Sequence, residues 1–263
     1  MKKTLIEKIP YVLPTALESE ISCAKIYDSS CSPEASVYLI EGNKFSLFLK
    51  RAALGALKNE ATMTRYFHSK GHAAEVVNYV CDEKFDWLMT TALDGEDCTH
   101  TDYLSEPKSL TDRLAELLRE LHSEKFADCP IQNRMDTYFD TVEQGFRTGR
   151  CDLSFYESLY GSLTPQSAYE LALRGKELLS DKVLLHGDYC LPNIILKDWR
   201  LSGFIDLGGG GVGDRHIDLY WGAWTLCYNL RTDRYRERFF DAYGRDKVDA
   251  ERLRTVAAAE VFG

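Results

Sequence analysis

Val183-Leu184-Leu185-His186-Gly187-Asp188-Tyr189-Cys190-Leu191-Pro192-Asn193-Ile194-Ile195-Leu196 decides the fold, together with Phe204-Ile205-Asp206-Leu207-Gly208 a short distance on. Apolar runs bounded by polar residues predict strands over 183–185, 194–196 and 201–205. The last two are joined by a turn at Lys197-Asp198-Trp199-Arg200. A loop carrying His186, Asp188 and Asn193 therefore lies between strands, and Asp206 ends the next one. This array suits phosphoryl transfer, in which one carboxylate accepts a hydroxyl proton while an amide oxygen and a second carboxylate hold Mg2+ on nucleotide phosphates. On that reading Asp188 is the base, and Asn193 and Asp206 are the metal ligands. His186 holds the loop and does not transfer protons.

Protein kinases place this chemistry in H-R-D-x-x-x-x-N followed by D-F-G. Here His186-Gly187-Asp188, Asn193 and Ile205-Asp206-Leu207 keep the spacing, with Gly187 in place of the arginine. The chain resembles the aminoglycoside phosphotransferases, and among them the 3'-phosphotransferases. The likeness rests on His186-Gly187-Asp188, Cys190-Leu191-Pro192-Asn193-Ile194, Ser202-Gly203-Phe204-Ile205-Asp206, Gly211-Val212, Asp214-Arg215 and Asp218. It extends through Ala115-Glu116 to Pro130 and, more weakly, over nearly the whole chain. A lone H-G-D would be weak, because a single match more often marks a histidine hydrogen-bonded within a loop; the complete spacing on both sides makes it specific.

The resemblance implies an α+β, two-lobed, protein-kinase-like fold. A small, mainly β N-terminal lobe is expected over 1–91 and a larger, mainly α catalytic and acceptor-binding lobe over 92–263. It also implies ATP and Mg2+ as cofactors. The γ-phosphate would pass to a hydroxyl of an aminoglycoside antibiotic, the 3'-hydroxyl in this branch, with resistance as the outcome.

Composition agrees with a sizeable core, since 44% of the 263 residues are hydrophobic. The net charge of −9 comes without clustered Lys and Arg, which argues against a nucleic-acid partner. An acidic surface favours a cationic ligand, although acidity alone also serves solubility. The charged start Met1-Lys2-Lys3-Thr4-Leu5-Ile6-Glu7-Lys8 lacks a signal-peptide core, and no window approaches a membrane span; a cytoplasmic protein without a membrane partner is expected. The cysteines, Cys23 among them, form no C-x-x-C pair and read as reduced thiols.

Along the chain, a helix-like segment is expected around Leu5 to Ile9, broken at Pro10 and Pro14, before a strand ending near Tyr27. The polar run Asp28-Ser29-Ser30-Cys31-Ser32-Pro33-Glu34-Ala35-Ser36 can cover phosphates with backbone N–H groups and hydroxyls, and by composition is equally an ordinary hairpin turn. The resemblance assigns Ser32-Pro33 to the phosphate-covering turn. After the turn Glu41-Gly42-Asn43-Lys44, alternation puts Phe45, Leu47 and Leu49 on one face and Ser46, Phe48 and Lys50 on the other. A lysine ending an apolar strand can simply reach solvent; the resemblance makes Lys50 the nucleotide-binding lysine and Phe48 an adenine-stacking ring.

A helix over 52–69 stops at Gly71 and holds one acidic residue, Glu60, with Thr64 and Phe67 on its face. In the kinase arrangement such a glutamate orients the lysine, whereas helix glutamates are otherwise commonly solvated. Strands over 76–81 and 85–91 flank Asp82-Glu83-Lys84. The exit from Met89 to Gly95 resembles the inter-lobe connection, whose backbone at Thr90 and Ala92 would meet the adenine edge.

The remainder reads as helical. Leu114, Leu117, Leu118 and Leu121 form a buried stripe behind the start signals Pro107, Ser109 and Thr111. Further helices are expected over 134–146, 169–179, 218–226, 234–243 and 248–261, and a loop over 149–161. Five glycines in the six positions from Gly208 to Gly213 read as a mobile loop. Asp218 is expected to buttress the catalytic loop; His122 and Asp128 match a family signature in a structural or a functional role. For the acceptor amines the resemblance implies Glu260, the loop carboxylate Glu157 and the terminal aromatic Phe262, beside Asp188. The family's arginine after the metal aspartate is Gly209 here, a second arginine is Trp224, and a substrate carboxylate is Tyr228. These changes spare the ATP site and keep open a kinase of another hydroxylated, cationic metabolite. An inactive nucleotide-binding protein is a third reading, disfavoured because Lys50, Glu60, Asp188, Asn193 and Asp206 are all present.

Overall fold

Alternating apolar residues build one sheet and amphipathic helices build most of the rest. The computed structural model describes residues 3–21, 24–43 and 45–263, so Cys23 and Lys44 lie outside the described residues. The chain divides into two units, Met1–Asp97 with Ile194–Gly208, and Cys98–Asn193 with Gly209–Gly263.

The first unit opens with β1 (Thr4–Ile6), α1 (Thr15–Ile21), β2 (Lys25–Asp28), β3 (Ala35–Glu41), β4 (Ser46–Ala53), α2 (Lys58–Ser69), β5 (Val76–Cys81), β6 (Phe85–Thr91) and β7 (Glu96–Asp97). Six of these strands pair antiparallel in the order β1-β2-β3-β4-β6-β5. Ile26, Tyr38, Ile40, Leu47, Leu49, Trp87 and Met89 pack on Leu17 of α1. Phe48 and Lys50, on the opposite face, are half-buried. Phe45 precedes β4 and is exposed, its ring lying over Gly42.

Two segments of this unit depart from expectation in a way that has a physical reason. The opening segment is a strand, because Thr4, Leu5 and Ile6 pair with Asp28, Tyr27 and Ile26; five residues ahead of a proline are too few to sustain a helix. Ala52 and Ala53 extend β4 by pairing with Asp86 and Phe85. The chain then turns at Gly55 (φ +86°), and Asp86 Oδ2 accepts the Leu57 N–H at 2.9 Å, which delays the helix to Lys58.

The second unit begins with α3 (Thr101–Leu104), α4 (Pro107–Leu121), α5 (Arg134–Thr148), α6 (Ser154–Tyr160), α7 (Pro165–Gly175) and β8 (Val183–Leu185). The chain then enters the first unit as the hairpin β9 (Ile194–Lys197) and β10 (Arg200–Phe204), which pairs through β9 with β7. Its two-residue turn has Asp198 at φ 50° and Trp199 at φ 64°, a twist that suits the flanking strands. β11 (Gly211–Gly213), α8 (His216–Leu230), α9 (Arg236–Gly244) and α10 (Ala250–Glu260) complete the second unit. Among the described residues no helix is long and apolar enough to cross a membrane.

Two expected loops are ordered elements. The 149–161 stretch contains α6, started by Asp152 Oδ1 accepting the Ser154 N–H at 2.9 Å and anchored by buried Tyr156; Gly149 and Gly161, both at positive φ, only punctuate it. The glycine-rich run contains β11, a buried strand paired with β8. A Cβ on Gly211 would lie 2.9 Å from the Ile131 side chain, and one on Gly213 2.7 Å from Leu185. These glycines therefore serve close packing and not mobility.

Candidate active site

In the first unit, strand alternation delivers Lys50 and α2 delivers Glu60. Lys50 Nζ lies 2.7 Å from Glu60 Oε2 and 2.9 Å from Asp206 Oδ1. Asp206 arrives because the Phe204 N–H donates to the His72 carbonyl at 2.7 Å, just past the end of α2, and the Phe204 ring meets Phe67 edge-on at 6.1 Å. Gly203 permits that approach, since a Cβ there would sit 2.8 Å from Leu93. Burial by itself disfavours the Lys50 ammonium, but Glu60 and Asp206 outweigh it and raise the pKa, so the cation persists. Burial pushes the Glu60 carboxyl up, Lys50 pulls it down, and Asp206 adds to the rise.

Phe48 shares the Lys50 face of β4 and pairs with Thr90. The Ala92 N–H donates to the Ser46 carbonyl at 2.9 Å, so that backbone donor is engaged within the chain. Ser32 is exposed, and its loop is closed by its neighbour: Ser30 Oγ accepts the Val37 N–H, and Asp28 Oδ1 accepts the Ser30 N–H, each at 2.9 Å.

In the second unit, Asp218 at the start of α8 accepts the His186 N–H at 2.8 Å and the Gly187 N–H at 2.7 Å, the buttress expected of it. His122 Nε2 lies 3.1 Å from the same carboxylate, and its Nδ1 lies 2.7 Å from the Tyr243 hydroxyl. Burial lowers the His122 pKa against the pull of Asp218, which leaves a neutral ring donating from Nε2 and gives His122 a supporting role. Thr225, two turns along α8, accepts the Leu191 N–H at 3.1 Å. Gly187 sits at φ +86°, and a Cβ there would lie 1.9 Å from the Gly209 carbonyl oxygen, which Arg134 Nε holds at 2.7 Å. Held this way, Asp188 receives the Asn193 Nδ2 donor at 2.8 Å on Oδ2, and His186 Nδ1 accepts the Asp188 N–H at 3.3 Å.

The structure thus gathers Lys50, Glu60 and Asp206 in one unit, and Asp188 and Asn193 in the other. Glu260 also belongs to the second unit. It is buried, accepts the Tyr138 hydroxyl at 2.8 Å and is bonded by the Trp221 side chain. Burial pushes its carboxyl up to about 7, and the Asp188 charge contributes to the rise. Phe262 is buried between Phe146 and Tyr169, with ring centroids 5.8 and 6.1 Å away, while Glu157 stands exposed on α6. Sequence reasoning did not find Thr225, whose only local signal is its spacing from Asp218, or Arg134, which has none. A second acidic group, Asp181, Asp214 and His216, is already satisfied: Arg215 and Arg252 pair with Asp181, and His216 bonds Asp214 and the Asp249 N–H.

The phosphotransferase enzyme family matches this sequence over residues 33–255. The chain belongs to that family. This phosphotransferase is 48% identical over 250 residues, 95% of each chain, to a probable aminoglycoside 3'-phosphotransferase of Lactococcus lactis subsp. lactis (strain IL1403). The solved structure of an aminoglycoside 3'-phosphotransferase of type VIII matches with a TM-score of 0.81 at 25% identity, covering 94% of this chain and 97% of that one. An aminoglycoside phosphotransferase from Streptomyces rimosus, solved with ADP and streptomycin, matches with a TM-score of 0.69 at 20% identity over 87% and 91% of the two chains. The expected α+β, kinase-like fold is therefore the fold of this phosphotransferase.

Proposed function

We propose that this phosphotransferase moves the γ-phosphate of ATP to a hydroxyl of an aminoglycoside antibiotic, the 3'-hydroxyl, and acts in the cytoplasm to confer resistance. The observation that carries the reading is the Lys50 ammonium held between Glu60 and Asp206, an arrangement suited to a polyphosphate. The names of the similar proteins supply the acceptor class.

In this reading the N-terminal unit binds nucleotide. Lys50 meets the phosphates with Glu60 orienting it, Phe48 stacks on adenine, Ser32 covers the phosphates, and the backbone at Thr90 and the Ala92 carbonyl meet the base edge, the Ala92 N–H being engaged by Ser46. Asp188 orients the acceptor hydroxyl and takes its proton. Asn193 commits Nδ2 to Asp188, so its amide oxygen is the atom left for a cation, and Asp206 keeps its second carboxylate oxygen. Two such hard donors fit Mg2+, and their assignment to one ion rests on the motif spacing. When bound, Mg2+ would neutralise charge on the transferring phosphoryl group. Glu260 and Glu157 would take acceptor amines, with Phe262 holding the end of α10 in place. A cationic metabolite is the second reading, favoured by Gly209, Trp224 and Tyr228.

An ADP-release assay with Mg-ATP against kanamycin, neomycin and a panel of sugars and amino alcohols tests this. Turnover on an aminoglycoside, with phosphate on the 3'-oxygen by NMR, is expected. Turnover confined to a metabolite selects the second reading, and no acceptor-dependent turnover rejects both.

A further inference from the structure

The run Gly208-Gly209-Gly210-Gly211 has no side chain with which to hold itself, and its backbone keeps the freedom that a missing Cβ leaves. Its pairing with β8 starts only at Gly211. Gly209 nevertheless sits against the catalytic turn: its carbonyl oxygen lies 1.9 Å from where a Gly187 Cβ would stand, and Asp188 follows Gly187. Asp218 holds the same turn through the Gly187 N–H at 2.7 Å. The placement of Asp188 therefore depends on whatever keeps the Gly209 peptide where it is.

Arg134, the first residue of α5, acts on that peptide from outside the run. Its Nε donates to the Gly209 carbonyl at 2.7 Å, its Nη1 donates to Thr137 Oγ1 at 2.8 Å, and its guanidinium lies 5.9 Å from the centre of the Tyr138 ring. Thr137 is fixed in turn, donating to the Arg134 carbonyl at 3.0 Å. These contacts set where the guanidinium points. Among the described residues its bonded partners are neutral, and Glu260 and Asp218 act on it only as charges at a distance. Burial lowers the Arg134 pKa, against the pull of Tyr138, Glu260 and Asp218. A half-buried cation without a bonded counter-ion costs stability, and departures of that kind are kept where function gains from them. The gain here is grip, since a charged donor binds a carbonyl more tightly than a neutral one.

We propose that Arg134 is a positioning residue of the transfer reaction: acting through the Gly209 carbonyl, it fixes the turn at Gly187 and so aims the Asp188 carboxylate at the acceptor hydroxyl. The inference rests on the aminoglycoside reading above. Arg134→Ala should lower kcat with kanamycin and Mg-ATP roughly ten- to a hundredfold, the effect of a misplacement of about 1 Å, and leave KM for ATP within about twofold. Arg134→Lys, which keeps a charged donor, should recover part of that loss. Thr137→Ala, at an exposed position, should act in the same direction by roughly two- to fivefold, and carries the test if Arg134→Ala does not fold. Deuterium exchange gives a readout independent of any acceptor: the amides of residues 186–190 should exchange faster in Arg134→Ala while those of α10 keep their rate. Unchanged turnover and exchange would overturn the inference, and so would a loss of turnover that follows the melting temperature and is not relieved by lysine. A wild-type chain that phosphorylates no aminoglycoside would defeat the functional reading, and the exchange measurement would still decide whether Arg134 holds the turn.

Discussion

The two units hold their functional side chains by opposite means. In the first, charge holds charge: Lys50 bridges Glu60 and Asp206, and the Asp206 side chain is 49% exposed. In the second, one buried carboxylate holds backbone, as Asp218 takes the N–H groups of His186 and Gly187. The contact to Asp206 is partly exposed, so it is screened and contributes little to stability, whereas buried amides stripped of their acceptor are costly. The first cluster is therefore a tunable field, and the second is a rigid frame for Asp188.

The largest effect should come from the group that the frame serves. Asp188→Asn is expected to lower kcat by roughly two to four orders of magnitude with little change in KM for ATP; near wild-type turnover would remove Asp188 from the chemistry. The contrast itself is tested next. Asp218→Ala should destabilise the protein by about 2–5 kcal/mol in denaturant titration, because the buried His186 N–H and the half-buried Gly187 N–H lose their acceptor. Glu60→Gln removes a buried carboxylate but leaves Lys50 paired with Asp206, so it should cost less than that while raising KM for ATP. If the two variants exchanged these phenotypes, the distinction between field and frame would be wrong.

A smaller effect concerns Glu260, a buried carboxyl on which the Arg134 charge acts without outweighing burial. Its folded pKa of about 7 lies above the ordinary carboxyl value, so its contribution to stability is present at low pH and is lost as pH rises through about 7. Melting curves from pH 5 to 8 should show that decline in the wild type and a flatter profile in Glu260→Gln; identical slopes would exclude Glu260 as the source. The smallest is expected from Gly211→Ala, which must crowd Ile131 at a φ of +146° and should cost about 1–2 kcal/mol. An unchanged melting temperature would return the glycine run to the mobile loop first expected of it.

Legibility followed the range of the forces involved. β5 and β6 were read to the residue because Asp82 makes a local turn, accepting the Lys84 and Phe85 N–H groups at 2.8 and 2.9 Å. Lys50 was placed on the correct face by alternation alone. Misreadings fell where a distant partner overrode local preference. Asp28 to Ile26 recruited the opening segment into β1, and β8 drew the glycines into a buried strand. The 149–161 stretch hid a helix because its two glycines were read as composition and not as the stops of the elements they end.

Motif spacing singled out the candidate reacting groups and periodicity the face on which Lys50 stands, because hydrogen-bond reach along a strand or helix is a matter of a few residues; the kinase-like α+β class came with the family resemblance that the motifs carry. Folding decided the rest. Lys50 meets Asp206 across 156 residues of chain, and Arg134 reaches the Gly209 carbonyl across 75. Such contacts depend on strand register and helix packing, and no short stretch of residues encodes either.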